Sequence, residues 1–171
     1  SASHEEGVRA HTFSSANYAE VRIDGTPVSE GAFNARVAAH FGVPVALVTG
    51  DDATVAEMEA LLGPVEGVVV KEALGFHSAR TLTPAAAQAR IREGARRAVE
   101  RLAQGDFHPL EPSRDPVLEL TFQAYRPAEV LAYLPVVERA GARTIRYRAA
   151  DMVEMAHFLQ FVGHYQSGLT P

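Results

Sequence analysis

The sequence predicts an α/β fold: a mostly parallel sheet flanked by helices, followed by a smaller C-terminal α+β lobe. Three observations predict it. Strand-like and helix-like segments alternate through the middle of the chain, a pattern that layers helices on a largely parallel sheet. The run "VPVALVTG", residues 43–50, is continuously apolar and ends in turn residues, as expected of a strand buried on both faces. The stretch "GDFHPLEPSRDP", residues 105–116, is proline-rich and breaks the pattern. It reads as a linker between an α/β portion, residues 1–104, and the smaller lobe, residues 117–171.

Each element has a local reason. "NYAEVRI", residues 17–23, sets Tyr18, Val21 and Ile23 among polar residues and reads as a strand. "DGTP", residues 24–27, is a turn in which Gly25 is free to take positive φ. Ser29 can cap the following helix, whose apolar face is Phe33, Val37 and Phe41 at i, i+4 and i+8. Gly42 ends it. After the apolar strand, Thr54 and Glu57 have capping-box spacing and start a helix ending at Leu62, broken by Gly63 and Pro64. "EGVVVKEAL", residues 66–74, is the third strand. The intervening helix has the length of a crossover, so these two strands are expected side by side and parallel.

Thr83 followed by Pro84 is an N-cap with proline at the first helical position. The long helix behind it carries a narrow buried stripe of Ile91, Ala95, Ala98 and Leu102, with Arg90, Glu93, Arg97 and Arg101 toward water. Past the linker come a strand "VLELTFQAY", a short helix "PAEVLAYL", a strand "RTIRYRA" and a last helix from Asp151. That helix has Met152, Met155, Leu159 and Val162 on one face and Phe158, Phe161 and Tyr165 on another. Being apolar most of the way round, it is expected to be buried or to pack against another chain. There are no repeats or low-complexity tracts.

Composition narrows the function. A chain of 171 residues suits one domain, or a domain with a lobe, and buries about two-thirds of its unfolded surface. A net charge of −5 lacks the basic face of a nucleic-acid binder and gives no attraction to an anionic membrane. With no cysteine, any metal must be held by His, Asp or Glu. No apolar run approaches the roughly 20 residues of a spanning helix. The start, "SASHEEGVRAH", is polar and lacks the apolar core of a secretory signal, so a cytoplasmic protein is expected. It opens on Ser1 rather than Met, so upstream residues are also expected.

The seven histidines form no HExxH pattern, and there is no G-x-S-x-G elbow, P-loop or G-x-G-x-x-G. What remains is scattered. Glu30 fits the first turn of a helix, where the macrodipole favours an acid by about 0.3–1 kcal/mol. His11, before "TFSS", fits a loop. Asp51 and Asp52 follow a buried strand, where α/β sheets place ligands, yet Asp is also a common N-cap. Lys71 closes a strand as a surface lysine would, Asn34 lies one turn after Glu30, and His40 complements a helix C-terminus. His4, Glu5 and Glu6 read as a solvated loop. On spacing alone none of these separates a site from a structural role.

Order along the chain adds to this. "AHTFS" (residues 10–14), "IDGTPVSEGAFNA" (residues 23–35), "GVPVALVTGDD", "VVVKEALG" and "LTPAAAQ" follow one another at characteristic distances. In this the chain resembles the D-aminopeptidase family of zinc metallopeptidases, bacterial enzymes associated with dipeptide transport. The resemblance runs from about residue 7 to residue 104 and more weakly to "AADMVEM". It implies a two-zinc site with Glu30 as a ligand and His11, in an "[AS]-H-[ST]" tripeptide, as the catalytic residue. The family's acidic N-terminal motif and its zinc histidines have no match here, so the remaining ligands are expected upstream of Ser1. A short peptide as substrate and a homo-oligomeric ring are implied as well. This chain alone is therefore not expected to hold a stable two-zinc centre, because catalytic zinc needs about three protein ligands. Two other readings stand beside this one. A magnesium-dependent phosphohydrolase would use Asp51 and Asp52, although the D-x-D-x-T nucleophile motif is absent. A non-catalytic α/β assembly domain would need no ligands.

Overall fold

The computed structural model describes residues 7–168. His4, Glu5 and Glu6, and the side chain of Tyr165, lie outside what it describes. In order, the elements are β1 (Tyr18–Ile23), β2 (Thr26–Pro27), α1 (Glu30–His40), β3 (Leu47–Asp51), α2 (Asp52–Leu62), β4 (Glu66–Gly75) and β5 (Ser78–Thr81). They continue with α3 (Pro84–Ala103), β6 (Val117–Phe122), α4 (Arg126–Leu131), β7 (Val137–Arg139), β8 (Thr144–Arg148) and α5 (Met152–Gly168). Among the described residues the fold is mixed α/β, with two sheets. Two compact units divide the chain: Ser1–Ala10 with Glu30–Glu111, and His11–Ser29 with Pro112–Pro171.

In the first unit the sheet order is β3-β4-β5. β3 and β4 pair in parallel from Leu47↔Glu66 to Asp51↔Lys71, with α2 as the crossover between them. Gly67 and Val68 show where the helices sit. A Cβ on Gly67 would meet Val55 Cγ1 of α2 at 2.7 Å, whereas Val68 packs against Gly94 of α3. Neighbouring strand residues point to opposite faces, so α2 and α3 cover opposite faces of this sheet. Glu66, on the α3 face, accepts from Arg97 Nε (2.8 Å) and Arg101 Nη1 (3.1 Å), which orients α3 along β4. Thr83 caps α3 by accepting from Ala86 N, with Pro84 at its first turn.

Several local expectations change. α2 starts at Asp52, not after Thr54: its N-cap is Asp51, whose side chain accepts from Thr54 N. β3 is half-buried rather than buried on both faces, because among the described residues it has a ladder partner only on the β4 side. Phe41 is 64% exposed: it lies past the end of α1, where Gly42 at φ +68 turns the chain, so the i+8 spacing no longer points it inward. Buried Ala32, Phe33, Ala35 and Ala39 form the packing face instead. Lys71 does not close β4, which runs on to Gly75 and turns back as the antiparallel β5.

The second unit holds an antiparallel sheet of order β2-β1-β6-β8-β7. β1 turns into β2 through Asp24 (φ 51) and Gly25 (φ 77), the paired positive-φ residues of a tight hairpin. The register sets Ile23 opposite Leu118 and Leu118 opposite Tyr147, and likewise Val21, Leu120 and Ile145 in a row. Directly paired residues share a face, so these rows make one apolar surface, in which Leu118, Leu120 and Phe122 are fully buried. α5 lies on this unit through Phe158, stacked on Tyr147 at 3.8 Å, and Gly163, beside Tyr18 Oη. Its Met152, Met155, Leu159 and Val162 face is buried, while Phe161 is 41% exposed.

The expectation of a mostly parallel sheet is therefore overturned. Among the described residues only β3–β4 is parallel; β1–β2, β1–β6, β4–β5, β6–β8 and β7–β8 are antiparallel. The reason is the partner of β1. Its apolar face matches the alternating face of β6, not the continuous run of β3, and the match is made antiparallel.

Candidate active site

Asp51 is the most constrained of the predicted residues. At the end of β3 the pairing with β4 shifts register between Gly50↔Val69 and Asp51↔Lys71, which leaves Val70 of β4 as the extra residue. Asp51 is 3% exposed. Its Oδ1 accepts from Thr54 N at 2.8 Å and its Oδ2 from Val8 N at 3.0 Å. Burial alone would raise its carboxyl, but hydrogen bonds from the Thr54 side chain and backbone and from Val8 outweigh that and lower it below the ordinary Asp value. Asp52 is exposed, and its Oδ1 accepts from Ala73 N at 2.9 Å. The two carboxylates thus serve different backbone donors. They do not converge as a magnesium-holding pair would.

The segment before His11 is held at two points. Val8 N donates to Asp51, and Arg9 N donates to Phe76 O at 2.8 Å, at the tip of the β4–β5 hairpin. The Arg9 guanidinium lies over the Phe76 ring at 5.6 Å, and its Nη1 is 3.4 Å from His77 Nδ1. Arg9 has φ 53, which is uncommon for a side-chain-bearing residue. His11 itself is exposed and opens the stretch that leads to β1. The next residue, Thr12, is 8% exposed, and its hydroxyl has no hydrogen-bond partner among the described residues. Sequence patterns did not single out Arg9, Thr12, Phe76 or His77. The contacts of Arg9 with Phe76 and His77 span many tens of residues, which periodicity does not report.

Glu30 is the first residue of α1 and is half-buried. The start of α1 sits close on α2: a Cβ on Gly31 would meet Met58 Sδ at 2.8 Å. A carboxylate at this point is carried by a packed helix start rather than by a loop. Asn34, one turn on, is exposed, and His40 ends the helix with its ring edge-on to Phe41 at 4.8 Å. By the unit division, His11 opens the second unit and Glu30 resumes the first.

A cavity of about 570 Å³ lies elsewhere, lined by Gly67, Val68, Val69, Ala89, Arg90, Glu93 and Arg97. It contains none of the predicted residues. Among the described residues no three His, Asp or Glu side chains gather into a set that could hold a metal ion. These residues by themselves therefore do not fit a zinc centre.

Comparison with known proteins places these observations. The model of the peptidase M55, D-aminopeptidase, family matches residues 1–161. The D-aminopeptidase of Bacillus subtilis (strain 168) is 34% identical over 133 residues, which is 77% of this chain and 48% of that protein. The solved structure described as the Zn-dependent D-aminopeptidase DppA from Bacillus subtilis, a self-compartmentalizing protease, superposes with a TM-score of 0.88 at 28% identity. That likeness covers 100% of this chain and 61% of the other. The chain thus spans about half the length of the curated relative it matches.

Proposed function

Since the chain belongs to the peptidase M55, D-aminopeptidase, family, we propose that it is part of a zinc-dependent aminopeptidase that releases N-terminal residues, D-amino acids in particular, from short peptides. The family match over residues 1–161 carries the proposal. Structural likeness to a Zn-dependent D-aminopeptidase supports it.

Within this reading Glu30 gives one carboxylate to the metal, and His11 moves a proton at the reacting centre or holds the developing oxyanion. A carboxylate at a packed helix start suits the first role, since it offers oxygen acceptors without local freedom. Imidazole suits the second, because it serves as both acid and base near neutral pH. In such enzymes zinc supplies Lewis acidity. The remaining donors are assigned to a segment upstream of Ser1, as the greater length of the relatives allows. A homo-oligomeric ring is part of the proposal, on the analogy of the self-compartmentalizing neighbour. Exposed Tyr125, Tyr133, Leu134 and Val136 offer apolar surface for such assembly. No helix among the described residues is long and apolar enough to cross a membrane, and a cytoplasmic location goes with the proposal.

The test uses the intact protein. Glu30→Ala is expected to lower zinc content per protomer, measured by metal analysis after dialysis. His11→Ala is expected to lower kcat on a D-aminoacyl peptide by at least about 100-fold with zinc retained, the range of lost acid–base catalysis. Full zinc in the first variant, or full turnover in the second, would remove the corresponding role.

A further inference from the structure

We propose that Asp51 is a positioning residue for His11, tying the backbone that leads into His11 to the end of β3 and the start of α2. The inference rests on the reading of His11 as the proton-moving group. Its basis is geometric. One carboxylate oxygen of Asp51 takes Thr54 N at 2.8 Å and the other takes Val8 N at 3.0 Å, across 43 residues of chain. A single buried side chain thereby joins the helix cap to the strap three residues before His11. The 3% exposure of Asp51 keeps water from competing for its donors.

The strap needs this hold. Arg9 adopts φ 53, a conformation that persists in a non-glycine residue only where neighbouring contacts over-determine it. Two contacts do so here, Val8 N to Asp51 on one side and Arg9 N to Phe76 O on the other. With Asp51 gone, Val8 N loses its acceptor, and the strap keeps its hold only on the Phe76 side. The direction in which the chain enters His11 would then change. Misplacement of a reacting group by about 1 Å can cost about 100-fold in rate.

Asp52 is the matched control. It is the adjacent carboxylate and also accepts a backbone N–H, but that donor is Ala73 of β4, not the strap. The experiment compares Asp51→Ala, Asp51→Asn, Asp52→Ala and His11→Ala in the full-length, zinc-loaded protein. Hydrogen exchange is followed in the peptide covering residues 7–11, and kcat and KM are expressed per zinc-loaded protomer. Asp51→Ala is expected to speed exchange in that peptide and to lower kcat between about 10- and 100-fold with KM and zinc content retained. Asp51→Asn, whose amide oxygen serves one donor while its NH2 faces the other, is expected to fall between. Asp52→Ala is expected to match wild type in both readouts. A folded, zinc-loaded Asp51→Ala with the exchange or the kcat of Asp52→Ala overturns the inference; if Asp51→Ala does not fold, Asp51→Asn decides by the same comparison. Full turnover in His11→Ala overturns the reading of His11 and this inference together. Loss of turnover in His11→Ala beside unchanged Asp51 variants overturns this inference alone.

Discussion

Thr12 carries a hydroxyl that is buried and has no hydrogen-bond partner among the described residues. An unsatisfied buried polar group costs about 1–3 kcal/mol, whereas an apolar group of the same shape does not. Thr12→Val is therefore expected to stabilise the protein by up to about 1 kcal/mol, read as a higher urea midpoint at unchanged m-value. A lower midpoint would mean that the hydroxyl is satisfied by a group outside the described residues. Tyr147 shows the opposite situation. Its Oη donates to Glu154 Oε1 at 2.5 Å, and Glu154 Oε2 takes Ala150 N at 2.8 Å, so the start of α5 is bound to β8. Burial and the Glu154 hydrogen bond push the Tyr147 phenol up to about 12.

Among the elements, α3 tests how closely helix and sheet are fitted. Gly94 lies in its interior, where alanine would ordinarily add about 0.8–1 kcal/mol of helix propensity. A Cβ there would collide with Val68 Cγ2 and come within 3.6 Å of Leu47 Cδ1. Val68 is short, branched and 5% exposed, so it cannot swing aside. Overpacking of this kind costs about 1–3 kcal/mol, so the collision outweighs the propensity gain. Gly94→Ala is expected to lower the unfolding temperature, and adding Val68→Ala is expected to recover part of the loss. A Gly94→Ala variant more stable than wild type would mean that α3 shifts along the sheet at little cost. The same glycine explains why the predicted α3 stripe is only partly buried. Gly94 and Ala98 make the contact, while Leu102 is 46% exposed.

For the whole molecule, the shifted groups set how stability depends on pH. Asp51 is lowered by its Thr54 and Val8 hydrogen bonds against the pull of burial, and Glu154 is lowered first by the Tyr147 hydroxyl and then by Ala150 N. A carboxyl depressed on folding contributes stability that is fully present above its unfolded value and lost as pH falls through its folded value. The reference values are 3.8 for Asp51 and 4.5 for Glu154, so the urea midpoint is expected to fall steadily as pH drops below about 4.5. Tyr147 acts at the other end. Its raised phenol contributes stability that is intact below 10.0 and lost as pH rises to about 12. Asp51→Asn is expected to flatten the acid limb, and Tyr147→Phe the alkaline one. Unchanged limbs would show that these groups titrate alike in the folded and unfolded chains.

Much of this protein is set by local chemistry that the sequence carries on its face. Thr83 with Pro84 starts α3, Gly42 stops α1, and Met152, Met155, Leu159 and Val162 share the buried side of α5. The parallel β3–α2–β4 unit was equally legible, because a crossover helix between two apolar runs leaves few other arrangements. Each of these signals acts within a few residues, through backbone dihedrals, caps or one helical turn. The roles proposed for His11 and Glu30 rest only on the order of motifs around them, since a loop histidine and a first-turn glutamate have ordinary structural uses. What the tertiary structure alone decided is long-range. It paired β1 with β6 rather than with β3, added β5 as a hairpin, and left Phe41 beyond the helix that was to bury it. It also set Val8 against Asp51. Such contacts are chosen by which apolar faces and which backbone donors meet after distant segments close on one another. A buried carboxylate accepting a strap from 43 residues away leaves no periodic trace in the chain.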